Sequence, residues 1–165
     1  MFRRVLKQFR LSDGERALVL AYLGVGIAGA FLSFIIVNEI GGGEDIVRSF
    51  GLLDLWMMVS GVIGSCLALS FSFKDLGHGG WWGAKRLMRA IVAVTVTGAV
   101  IGGTLALPLY GTMFGPLLVV MTLAAHRLLA VFWIATIIAA HFGHLIWRRE
   151  RDSLFAVPED DGIPA

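Results

Sequence analysis

The run LLVVMTLAAHRLLAVFWIATIIAAHFGHLIW, Leu117 to Trp147, decides the fold. Its 31 residues carry one permanent charge, Arg127, and three histidines, His126, His141 and His144. As a single helix rising about 1.5 Å per residue it would measure about 46 Å, against a hydrocarbon core of about 30 Å. It is too long for one simple span and too apolar for water. Where a membrane cuts it sets the topology of everything before it.

About 20 residues cross a hydrocarbon core, and counting back from Trp147 that length reaches Arg127. The fourth span is therefore predicted at 127–147, with Arg127 at its outer boundary. Leu117 to Ala125 holds good helix formers, and Pro116 suits a first helical turn. Residues 109–125 are accordingly expected to extend the last helix outward, in preference to an interfacial or re-entrant element.

Three more spans precede it. Residues 17–37 lack any charge, residues 52–73 carry only Asp54 in their first turn, and residues 90–107 are again uncharged. Ser12-Asp-Gly-Glu15 has the spacing of a capping box, which starts the first helix. Small residues four apart, among them Gly26 and Ala30 in the first span and Gly98 and Gly102 in the third, let a neighbouring backbone approach closely and are expected to be packing positions. Asn38-Glu39-Ile-Gly-Gly-Gly-Glu44-Asp45 reads as an acidic loop that breaks the first helix, and residues 74–89, rich in glycine and with Trp81-Trp82, as an interfacial loop.

Lysine and arginine sort by segment. Five lie in residues 1–16, four in residues 74–89 and three after Trp147, leaving Arg48 and Arg127 elsewhere among the 14. Four spans place the three basic segments on one side, and the positive-inside rule makes that side, with both termini, cytoplasmic. The chain thus reads as an all-α polytopic integral membrane protein. Residues 1–152 form a single domain, a four-transmembrane-helix bundle, in the prokaryotic inner membrane. Composition agrees: 57% of residues are hydrophobic and 16% charged, with a mean hydropathy of +0.79. Residues 1–16 are basic and amphipathic, as a helix lying on an anionic leaflet or as a tail that sets topology. Their flanks and the long apolar run do not suit a cleaved signal peptide. Residues 153–165 read as an acidic, poorly ordered tail.

Few residues carry candidate chemistry. Asp54 and Arg127 stand at matching depth, so they are expected either to face each other as an outer-boundary ion pair or to reach outer water separately. His141 and His144, three apart on one helix face with His78 in the nearby loop, are weak candidates for a divalent metal, since no Asp, Glu or Cys joins them at ligand spacing. A haem on His126 and His141 lacks facing ligands on the other spans. Cys66 is the single cysteine and lies in an apolar span, which excludes an intrachain disulfide and argues against a reactive thiol. The mid-depth parts of the spans hold no ionisable group, against ion-coupled transport. The signals of small multidrug transporters, small permease subunits of tripartite transporters and fluoride channels are missing.

These features lead to the expectation of a non-enzymatic accessory, assembly or structural subunit of a membrane complex, with no cofactor. Its partners would be the lipid bilayer and other membrane subunits or further copies of itself, and not nucleic acid. The alternative is a small homo-oligomeric transporter or channel.

Overall fold

The computed structural model describes residues 11–41 and 51–155, with residues 154 and 155 described by their backbone alone. The basic segment 1–10 and the tail from residue 156 lie outside the described residues. Five helices form: α1 (Asp13–Ile40), α2 (Leu52–Phe71), α3 (Gly80–Ala106), α4 (Tyr110–Ala125) and α5 (Arg127–Phe155). Among the described residues there is no strand, and α1, α2, α3 and α5 are each long and apolar enough to cross a membrane. The last helix runs to Phe155, so residues 153–155, expected in the tail, continue it.

The helix packing follows an order of α5, α1, α2, α3, with α4 laid on α3. Gly14 near the start of α1 meets Glu150 near the end of α5, and Gly77 between α2 and α3 meets His144 and Arg148. This end of the bundle is the terminal end, and the other, with Ile40, Leu52 and His126, is the far end. The capping box expected at Ser12 is present, and Glu150 adds an inter-helix cap by accepting from Ser12 Oγ at 3.1 Å and from the Gly14 amide. A carboxylate at that position also meets the positive end of the α1 dipole.

Glycine sets the helix spacing. A Cβ added to Gly61 of α2 would lie 2.6 Å from Gly29 O of α1, and one on Gly64 would lie 2.6 Å from Gly102 N of α3. Gly98 and Gly102 therefore face α2, against Ala68, Gly64 and Ser60. Gly26 also faces α2, near Cys66 and Val62, while Ala30 lines an open groove alongside. The closest α1–α2 approach falls one step further on, where Gly29 and Ser33 meet Gly61 and Ser65. Buried Val25, Leu69, Val94 and Ile137 fill the centre of the terminal half, and Trp133 of α5 donates from Nε1 to Thr95 Oγ1 at 2.9 Å.

Three expectations are corrected. The segment read as loop 74–89 is loop only to Gly79, because Ala84 to Arg89 is a run of good helix formers and extends α3 toward the terminal end. The outward extension of the last helix is instead a separate helix. His126 (φ −109°, ψ 86°) ends α4 by donating its amide to Thr122 O, and its own carbonyl accepts from Ala130 N at the start of α5. No proline or glycine marks the break; its cause is tertiary, described below. Pro116 is interior to α4 and not in its first turn. The helix begins earlier, after a tight γ-turn in which Tyr110 N donates to Pro108 O at 3.0 Å across Leu109 at φ 72°.

Helix α4 crosses the far half as a strap. Gly111 and Gly115 lie on Gly103 and Ala99 of α3, Val119 packs in one buried cluster with Leu32 of α1, and Thr122 reaches the last turn of α1. Gly64→Leu forces α2 from α3 and is expected to destabilise the bundle by about 1–3 kcal/mol or prevent its assembly. Gly79→Ala, in open space, leaves unfolding unchanged. Denaturant-induced unfolding in mixed micelles checks both.

Candidate functional site

The charged and histidine side chains of the described residues gather at the two ends of the bundle. At the far end Glu39, in the last turn of α1, holds the strap: Oε1 lies 2.6 Å from His126 Nε2, and Oε2 accepts from Thr122 Oγ1 at 2.6 Å. This clasp fixes the α4–α5 break against α1. An acid at a helix C-terminus opposes the dipole, so Glu39 needs a donor or a cation close by. That need was the available signal; read as part of an acidic loop, Glu39 was missed.

The structure does not bring Asp54 and Arg127 together. The ion pairs among the described residues within 4.0 Å are Arg16–Asp13 and His126–Glu39. Asp54 is buried and accepts from the Gly51 amide at 2.9 Å, which caps α2. Arg127 is exposed at the start of α5. The physical reason lies in the helix order: the backbones of α2 and α5 do not approach each other, because each packs on α1 and neither packs on the other. Equal depth along two helices says nothing about which way round the bundle they sit.

Beneath the strap is a half-open cleft of about 100 Å³, walled by Ile36, Gly98, Gly102, Gly111 and Val119, with Trp133 among its lining. Its walls are mostly apolar, with the hydroxyls of Ser33, Ser65 and Thr95 among them and no ionisable side chain. A second, shallower groove of about 400 Å³ runs between α1 and α2, lined by Tyr22, Gly26, Ile27, Ala30, Val62 and Cys66. Cys66 Sγ points to Tyr22 O at 3.6 Å.

The terminal end holds His78, His141 and His144, brought together by the turn between α2 and α3. Gly77, at φ 74°, lies with its α-carbon against the backbone of His144; a Cβ there would come 2.9 Å from His144 O. Its amide donates to His141 Nδ1 at 3.2 Å. His144 is fully buried, with the Phe73 ring 5.1 Å and the Tyr22 ring 6.1 Å away between centroids. Since Ala140 O can only accept, His144 donates to it from Nδ1 at 2.8 Å. His78 Nε2 accepts from Arg86 Nη1 at 2.5 Å and faces Arg148 Nη1 at 3.4 Å. Arg148 also donates from Nη2 to Phe73 O at 3.0 Å.

Each histidine thus has a separate task. His141 accepts an amide, His144 donates along its own helix, and His78 accepts from guanidinium groups. Among the described residues no three His, Cys, Asp or Glu side chains come together as a metal site. What the cluster does is lock the α2–α3 turn onto α5, and Leu76 in that turn is fully buried. Arg86 and Arg148 were counted as topology charges, and their convergence on one imidazole has no signature in sequence spacing.

No protein-family model, curated protein or solved structure matches the chain.

Burial, and then the charges of Arg148 and Arg86, hold His78 below its ordinary pKa of 6.5. A folded-state value depressed in this way means that the unfolded chain takes up the proton first as pH falls. The contribution is fully present above pH 6.5 and is lost as pH falls toward and through the folded-state value. Melting of the purified protein is expected to drop over this window, and the drop should be smaller in His78→Asn, as read by the difference between the two melting curves at each pH.

Proposed function

We propose that this chain is a four-span integral membrane protein of the prokaryotic inner membrane, with both termini cytoplasmic, acting as a non-catalytic accessory or assembly subunit of a larger complex. The observation that carries the reading is the internal satisfaction of the spans. Ser60 donates to Trp56 O, Thr95 to Ile91 O, Thr104 to Val100 O and Thr136 to Phe132 O, so these hydroxyls return to their own helices. Glu39, Thr122 and His126 are occupied with one another. A path for ions needs charged groups at mid-depth, and the middle of each described span carries no Asp, Glu, Lys or Arg.

The outward faces support a subunit. Leu20, Ile27, Val92 and Val131 are each more than 60% exposed, which suits a lipid or a protein neighbour. The α1–α2 groove has Gly26 and Ala30 in its lining and offers a neighbouring transmembrane helix close approach. Basic residues at the terminal end, including Lys85, Arg86, Arg89 and Arg148, support the cytoplasmic assignment of that end. Trp81 and Trp82, each 74% exposed with Lys85 Nζ 5.9 and 5.0 Å from their rings, suit headgroup depth.

Orientation is tested by Gly79→Cys in a Cys66→Ser background. A membrane-impermeant maleimide should label it in inverted vesicles and not in intact cells; the reverse pattern overturns the topology. The subunit role is tested by native purification in mild detergent. The protein is expected in a particle larger than its 17.9 kDa chain plus bound detergent, and Ala30→Leu, which fills the groove, should release it as a folded monomer. A lone wild-type monomer at every detergent concentration sinks the proposal.

A further inference from the structure

We infer that Arg86 and Arg148, gathered on His78 at the terminal end, form a binding site for a phosphate group, carried by a phospholipid headgroup or by a free phosphate. Two guanidinium groups stand 2.5 and 3.4 Å from the same imidazole nitrogen. Like charges brought this close repel, and a carboxylate between them is the usual remedy. Here the group between them is a neutral ring. Among the described residues neither arginine has a carboxylate within 4.0 Å, and the ion pairs present there, Arg16–Asp13 and His126–Glu39, involve neither.

The pair is also held in place. Arg148 is fixed by Phe73 O and stacks over the Phe73 ring at 5.7 Å, and its Nε is buried with no hydrogen-bond partner. His78 is held by the turn that Gly77 presses against His144. Arg86 is exposed and gives the site its access. Helix α3 starts at Gly80, immediately after His78 and Gly79, and has no side-chain cap. Its first amides therefore add to the positive field without forming the site by themselves.

Phosphate fits better than a carboxylate. Several tetrahedral oxygens can engage two planar donor forks at once, whereas one carboxylate is satisfied by a single fork. Lys85, Trp81 and Trp82 on the same helix would stand where a headgroup and the first carbons of its chains meet the protein.

The test uses the full chain in mild detergent, with phosphatidylglycerol, diacylglycerol (the same lipid without its phosphate) and inorganic phosphate as separate probes, at constant ionic strength. Native mass spectrometry reads bound lipid and thermal melting reads stabilisation. Saturable binding of phosphatidylglycerol without binding of diacylglycerol is the result expected for a headgroup. A melting shift with inorganic phosphate alone identifies free phosphate as sufficient. In either case Arg86→Gln and Arg148→Gln should weaken binding by about tenfold or more, as expected for losing a charge-assisted hydrogen bond. Arg151→Gln, at an exposed residue stacked on Trp147, should leave it unchanged. Arg148→Lys guards against misfolding of the glutamine variant and should keep part of the affinity. The proposal is overturned if neither phosphate-bearing probe stabilises the protein. It is equally overturned if Arg151→Gln weakens binding as much as Arg86→Gln, which would mean general surface charge.

Discussion

The bundle depends on backbone meeting backbone. Within lipid, apolar side chains gain little by leaving a hydrocarbon solvent for a protein one, so helices associate through close packing and the few polar bonds between them. The contacts Gly29–Gly61, Gly64–Gly102, Gly103–Gly111 and Gly115–Ala99 supply that packing in sequence, from α1 through α2 and α3 to α4. Each is backbone against backbone, where no rotamer change can absorb an added side chain. Large exposed residues such as Leu20 and Phe71 surround this seam and contribute little to it.

Helix α4 follows from the same constraint. Gly111 and Gly115 let it lie down on α3, and its other end is tied to α1 by the Glu39 carboxylate through Thr122 and His126. One helix cannot satisfy both contacts and continue straight into α5. The break at His126 is where the two demands meet, with His126 serving as the end of one helix, the start of the next and a side-chain partner of Glu39. The small cleft under α4 is what remains between the strap and helices already spaced by glycine.

This explains what could be read from the sequence. The four long apolar helices were legible because each is a one-dimensional pattern, a run of hydrophobic residues of sufficient length. Glycine spacing drew attention to Gly98 and Gly102, and the structure places both against α2. The break at His126 was not legible, since Ala125-His126-Arg127 contains no helix breaker and the cause lies on another helix. The Asp54–Arg127 pairing failed for a related reason. Depth can be counted along a chain, but rotation of one helix about the bundle cannot. The histidines at 78, 141 and 144 were found by residue type, whereas their separate roles depend on which nitrogen faces which neighbour.

The two ends also differ in how their charge is resolved. At the far end the acid of the clasp meets its donors within the chain, and Asp54 takes the amide that caps its own helix. At the terminal end Glu15 and Glu150 are committed to the start of α1, and Asp13 lies beside Arg16. Those commitments keep three acids of this end away from the basic side chains of the α2–α3 turn and α5. Among the described residues Arg86 and Arg148 meet a neutral imidazole and form no ion pair within 4.0 Å. The start of α1 and the α2–α3 turn thus settle their charge differently, one by a carboxylate that caps a helix and the other by a neutral acceptor.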